Sequence, residues 1–89
     1  MYAVGDEVYL NSSTGYLAEV TQVKDHYKKD DEDALYICKR EGRYSYKVKF
    51  YDREEMKWVN SIHRYWIDDL YEIYDALPED TKQRISKLG

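Results

Sequence analysis

Several groups of side chains in this 89-residue chain carry the chemistry of sites. Asp30-Asp31-Glu32-Asp33 places four acids in succession. A calcium loop needs oxygens at alternating positions and a glycine at its sharp turn. This run has neither, so it reads as a flexible acidic loop. His26, His63 and Cys38 are ligand types, but none has a second ligand at helical or turn spacing, so no zinc site is read. His63 would need a nucleophile brought to it in space, and Ser61 is too near in sequence to argue one. The carboxylates raise glycoside hydrolysis, which requires two acids in one cleft with their pKa values pushed apart. A chain of this length offers little room for such a cleft. The reading is non-catalytic, with no cofactor and no metal.

Two further groups have the chemistry of recognition. Arg40, Arg43, Lys47 and Lys49 lie beside Tyr44 and Tyr46, and bases interleaved with rings can track phosphates and stack on nucleobases. Asp68, Asp69, Glu72, Asp75, Glu79 and Asp80 occur with no basic residue among them. Such a surface can offer carboxylates where a partner expects phosphates. The net charge of −4 argues against non-specific binding to nucleic acid or to an anionic membrane. The sole cysteine excludes an intrachain disulfide and fits a reducing compartment, so the chain reads as cytoplasmic. The sequence starts without a basic segment followed by an apolar run, and no window approaches a membrane span.

The elements that must position these residues are mainly strands. Tyr44 to Phe50 alternates apolar or aromatic residues with polar ones, which predicts a half-buried strand. Tyr44, Tyr46, Val48 and Phe50 face one way, and Ser45, Lys47 and Lys49 the other. Glu7 to Leu10 predicts a first strand with Val8 and Leu10 inward. Tyr16 to Lys24 predicts a second. There Val23 falls out of phase with Ala18 and Val20, so a bulge is expected near Thr21-Gln22. Leu35 to Lys39 reads as a third strand, joined by a Gly42 turn to the next, which makes residues 35–51 a hairpin. Residues 53–77 admit two readings. Met56 to Val59 suits a strand, with a turn or a helix from about Ile62 behind it. Alternatively, Val59, Ile62, Trp66, Leu70, Ile73 and Leu77 form a helical stripe, and Asp52 with Glu55 has the form of a capping box. Pro78-Glu79-Asp80 predicts the first turn of a C-terminal helix.

The pattern carried by Gly5, Asp6, Val8, Gly15, Tyr16, Ala18, Val20, Val23, Val48, Phe50, Asp52, Trp58, Val59, Asp69 and Leu70 resembles the Tudor-like and chromo-barrel-like members of the SH3-like small β-barrels. The resemblance covers about residues 4–71, outside the charged insert at 25–34, and implies a small antiparallel barrel there. The domain expected is residues 1–74, with residues 75–89 as a C-terminal helix packed on it or extending from it. The resemblance also implies a binding module whose aromatic cage holds a methylated cation by cation–π attraction. Tyr16 and Phe50 match cage positions. Ser12 or Ser13 falls where another ring stands in the family, and Arg53 falls near a fourth, with Tyr51 the nearest ring.

The fold class expected is therefore mainly β, a small SH3-like barrel with a helical C-terminal segment. The function expected is recognition of a protein or peptide by an aromatic patch of Tyr16, Phe50, Tyr51 and Trp58, with Glu54 and Glu55 selecting a basic ligand. The alternatives are a small acidic effector that blocks a nucleic-acid-handling protein through charge mimicry, or direct nucleic-acid binding by the basic hairpin 39–49.

Overall fold

The computed structural model describes residues 1–11 and 17–88. Ser12, Ser13, Tyr16 and Gly89 lie outside the described residues. Six strands form one antiparallel sheet: β1 (Glu7–Leu10), β2 (Leu17–Asp25), β3 (Tyr44–Asp52), β4 (Lys57–Asn60), β5 (Tyr65–Trp66) and β6 (Leu70–Tyr71). The order is β4-β3-β2-β1-β6, and β5 pairs with the beginning of β3. Helix α1 (Glu32–Glu41) lies between β2 and β3, and α2 (Glu79–Leu88) ends the chain. The sheet is open. The barrel expected from the resemblance is not closed, because β4 and β6 at its two ends are only four and two residues long.

β3 is the strand on which the others are assembled, and its alternation does what its sequence predicts. Tyr46 and Val48 are buried on the inner face, with Tyr44 and Phe50 packed at the margin of the core. β1 adds Val8 and Leu10, and β2 adds Ala18 and Val20. The register of β2 on β3 shifts between Val20 and Gln22. That bulge moves Val23 into phase, opposite Tyr46 and against the core. Tyr2, which carries no signal in the sequence, also belongs to the core. Its ring meets Tyr46 edge-on at 5.4 Å, and its backbone N–H donates to the Tyr46 hydroxyl at 3.2 Å.

The strand expected over Leu35–Lys39 is the middle of α1, so residues 35–51 are not a hairpin. The correction lies in the acids before it. Asp31 caps the helix, accepting from the backbone N–H groups of Asp33 (3.0 Å) and Ala34 (3.2 Å). Glu32 and Asp33 occupy the positive end of the helix dipole, and Lys39 and Arg40 the negative end. Terminal chemistry at both ends outweighs the β preference of five residues. The true hairpin is β2–β3, paired from Ala18/Phe50 to Asp25/Tyr44, with α1 as an excursion at its tip. Gly42 ends α1 at φ 99°, ψ 166°, a region open essentially to glycine alone. Gly42→Ala is expected to cost about 1–3 kcal/mol. A Cβ would meet Ile67 only at an ordinary 3.6 Å, so the cost is conformational. Urea denaturation of the two proteins measures it, and equal midpoints would contradict it.

No long helix follows Asp52. Its carboxylate accepts from the N–H groups of Glu54 (2.9 Å) and Glu55 (3.3 Å), as a helix cap would. Here that closes the turn into β4, with Met56 at φ 55°. The strand reading of this region holds. The helix from Ile62 does not form, since Tyr65–Trp66 pairs with Ser45–Tyr46. In the supposed stripe, Ile62 is 87% and Ile73 60% exposed, while Leu70 and Leu77 are buried. The 3–4 spacing was met by residues of several short elements. The C-terminal helix is present as α2, preceded by a 3-10 turn at Tyr74–Ala76. It is tied to the end of β1, where the buried Thr81 hydroxyl donates to Asn11 Oδ1 at 2.9 Å. Among the described residues, no helix is long and apolar enough to cross a membrane.

Candidate functional site

The outer face of the sheet carries a row of apolar side chains at one end and a polar clasp at the other. The β3–β4 register sets Tyr51 opposite Trp58, and Leu17, one residue before the Ala18/Phe50 pair on β2, lines the same groove. The rings of Tyr51 and Trp58 meet edge-on with centroids 5.8 Å apart. Both stay exposed, Tyr51 at 37% and Trp58 at 53%, and Leu17 is exposed beside them. With Arg53 they line a groove of about 240 Å³. One step along the strands, Lys49 bridges Glu19 at 3.2 Å, and its Nζ also sits 5.5 Å from the centre of the Trp58 ring. Rings held by three paired strands lose little freedom on binding, which favours recognition.

This arrangement gathers part of the aromatic patch expected from the sequence. Tyr51 and Trp58 come together. Phe50 does not join them: alternation turns it to the other face, where it lines a separate groove with Val59, Ile62 and Tyr65. Tyr16 lies outside the described residues. Glu54 and Glu55 occupy the β3–β4 turn, where Glu55 bridges Lys57 at 2.9 Å, and neither lines the Tyr51–Trp58 groove. Leu17 and Arg53 were missed as members of this site. Arg53 follows Tyr51 by two, one residue past the end of β3, so extending the alternation of that strand gives its signal.

The four basic residues proposed for nucleic-acid contact do not form a hairpin surface. Arg40 is at the end of α1 and bridges Glu41 at 3.2 Å. Arg43 grips Asp25 with two hydrogen bonds of 2.9 and 2.8 Å, and lies against the rings of Tyr27 and Tyr44. This bidentate pair holds the Asp25 carboxyl down to about 2 and raises the Arg43 guanidinium further above its ordinary range. Lys47 and Lys49 are on the outer face of β3. Of the six acids proposed for mimicry, three already have partners. Asp69 accepts from the Trp66 N–H at 2.9 Å, Glu79 lies 3.5 Å from Lys82, and Asp80 lies 3.6 Å from Arg84. Asp68, Glu72 and Asp75 are exposed.

The polar clasp has no sequence signal. Ser45, expected on the solvent side, is wholly buried. His26 Nε2 lies 2.6 Å from its Oγ, and Arg64 donates to that Oγ at 3.4 Å and to Gln22 Oε1 at 3.1 Å. The His26 ring lies 4.8 Å from that of Trp66. A serine on a histidine has the geometry of a nucleophile and its base. With 0% exposure, however, the Ser45 hydroxyl meets no substrate. Oγ carries one proton and two lone pairs, so it can accept from Arg64 and either donate to Nε2 or accept from it, according to the imidazole tautomer. Burial, and then the nearby Lys24 and Arg64, push the His26 pKa below its ordinary 6.5, while Asp25 opposes them. The histidine contribution to stability is therefore complete above 6.5. It is lost as pH falls below 6.5 towards the lower native value, because the unfolded chain takes up the proton first. Urea midpoints are expected to drop between pH 7.5 and 5.5, and His26→Gln is expected to flatten that dependence. An unchanged slope in the variant would contradict it. The Asp25 contribution is present above 3.8 and is lost as pH falls through about 2, a separate window. No family model, curated protein or solved structure matches the chain.

Proposed function

We propose that this chain is a non-catalytic binding module that recognises a segment of another protein through the Leu17–Tyr51–Trp58 row, and that its fold is of the SH3-like, Tudor-like kind. One observation carries the functional reading. Two large rings stand exposed in register on the outside of a three-strand platform, while the core is complete without them. Exposed aromatic anchors of this kind dominate binding energy where they occur. The fold reading is supported by chain order. β1 to β4 follow one another as a meander broken only by the α1 excursion, and a 3-10 turn at Ile67–Asp69 then leads into β6, which returns to β1. A lone cysteine needing no disulfide suits a cytoplasmic setting.

The aromatic cage implied by the resemblance is not needed for this reading, because Trp58 already receives a cation from its own chain in Lys49. The test is selection of random twelve-residue peptides, displayed on phage, against the immobilised full chain. Selected peptides are expected to depend on Trp58. A pool that binds Trp58→Ala as well as the unaltered chain would contradict the proposal.

A further inference from the structure

We infer that the segment recognised is an extended acidic strand that pairs with the open edge of β4 and sets a carboxylate on Arg53. This rests on the Tyr51–Trp58 reading and adds the ligand's conformation and charge.

The edge follows from the hydrogen-bond ladder. Ser61 N–H donates to Val48 O at 2.8 Å, and Val48 N–H returns a bond to Ser61 Oγ at 3.1 Å, so residues 48 and 61 take the bonded phase of the ladder. Bonded and non-bonded pairs alternate along an antiparallel ladder. In the β3–β4 register, Phe50/Val59 and Asp52/Lys57 are then the bonded pairs. The backbone N–H and C=O groups of Trp58 and Asn60 consequently point away from β3. Among the described residues, no strand pairs with β4 on that side. An extended segment laid there would satisfy those groups and bring its alternate side chains over the Tyr51–Trp58 groove.

Charge decides what that segment carries. Lys47 and Lys49 lie on the outer face of β3, and Arg53 lies just past its end, in the turn that also holds Glu54 and Glu55. Opposite Lys49, Glu19 is already bridged to it, with Glu7 next to Glu19 on β1, and Glu55 is bridged to Lys57. Arg53 lines the groove and, among the described residues, has no ion pair. A basic side chain entering there would face Arg53 and find Lys49 already at the Trp58 ring. A carboxylate would find a guanidinium able to bind it bidentately. A single-stranded nucleic acid could use the same rings and cations, but it would leave the edge N–H and C=O groups to water. The net charge of −4 also disfavours a polyanion.

The experiment uses the peptide pool selected on the full chain. Asp or Glu should be enriched at a fixed position among alternating aliphatic and aromatic residues. The strongest synthetic peptide, followed by fluorescence anisotropy, should weaken at least about 10-fold on Arg53→Glu, equivalent to about 1.4 kcal/mol. Its Lys-for-acid counterpart should regain binding to that variant. N-methylation of the peptide at alternate amides should abolish binding in one phase and spare the other, which a side-chain contact alone would not produce. A Lys- or Arg-enriched pool that still depends on Trp58 would overturn this inference and leave the binding module standing. A pool without Trp58 dependence would overturn both. Tighter binding of an oligothymidylate than of the selected peptide would assign the face to nucleic acid and overturn the acidic strand. Concentration-dependent dimerisation abolished by Trp58→Ala would place a second copy on the edge, with the same consequence.

Discussion

Tyr46→Ala is expected to remove most of the stability of this protein. Tyr46 is among the largest side chains in the core, wholly inside at the centre of β3, and its ring is the wall against which Tyr2 packs. Truncating a buried aromatic costs about 3–5 kcal/mol in lost transfer energy and the cavity left behind. The change also removes the hydroxyl that accepts from Tyr2 N–H, leaving a buried donor to find another partner. Against a typical domain stability of about 5–15 kcal/mol, this is a large share. It corresponds to a fall in melting temperature of roughly 20 °C for a domain of this size. Tyr46→Phe separates the two contributions, since it keeps the ring and is expected to cost about 1 kcal/mol. Thermal and urea denaturation of the three proteins give the comparison. A Tyr46→Ala loss no larger than that of Tyr46→Phe would mean that the ring is not a core member.

Trp58→Ala is expected to do the opposite, leaving the fold and removing the function. The side chain is over half exposed, and its packing is an edge-on contact with Tyr51 and a cation contact with Lys49. Such contacts are each worth about 1 kcal/mol at an exposed site. Melting should therefore fall by roughly 10 °C at most, about half the shift expected of Tyr46→Ala. Binding of a selected peptide should fall much further, because a central aromatic anchor carries about 2 kcal/mol or more, roughly 30-fold in Kd. Tyr51→Ala should weaken binding in the same direction. Phe50 is on the other face, so Phe50→Leu should leave the affinity unchanged. If Phe50→Leu and Trp58→Ala weakened binding equally, the ligand would not lie on the outer face.

The legible parts of the fold were those written in a long local pattern. β3 alternates over seven residues, and the phase slip at Val23 announced the bulge that the register contains. Pro78 with two acids announced α2. Short elements were not legible. β5 and β6 are two residues each, held by distant pairing partners, sixty positions apart in the case of Leu70 with Leu10. α1 is not legible locally because Leu35-Tyr36-Ile37 has strand character in isolation, while the information that decides it sits in Asp31 and Gly42. At the site, Tyr51 and Trp58 stood out as residue types, but only pairing could set them opposite each other. Alternation already separated Phe50 from Tyr51. The burial of Ser45 depends on His26 and Arg64 arriving from other parts of the chain, which no local window contains.

The two tryptophans make a direct test of the proposed recognition face. Trp58 is exposed in the groove, and Trp66 is half-buried beside His26 at the other end of the sheet. Their indole N–H groups give two separate nitrogen–proton correlations in the labelled protein, one at the site and one as an internal reference. On titration with a selected peptide, the Trp58 indole signal should move to saturation while the Trp66 signal stays in place. Movement of Trp66 alone, or saturated binding with both signals unmoved, would contradict recognition through the Leu17–Tyr51–Trp58 row.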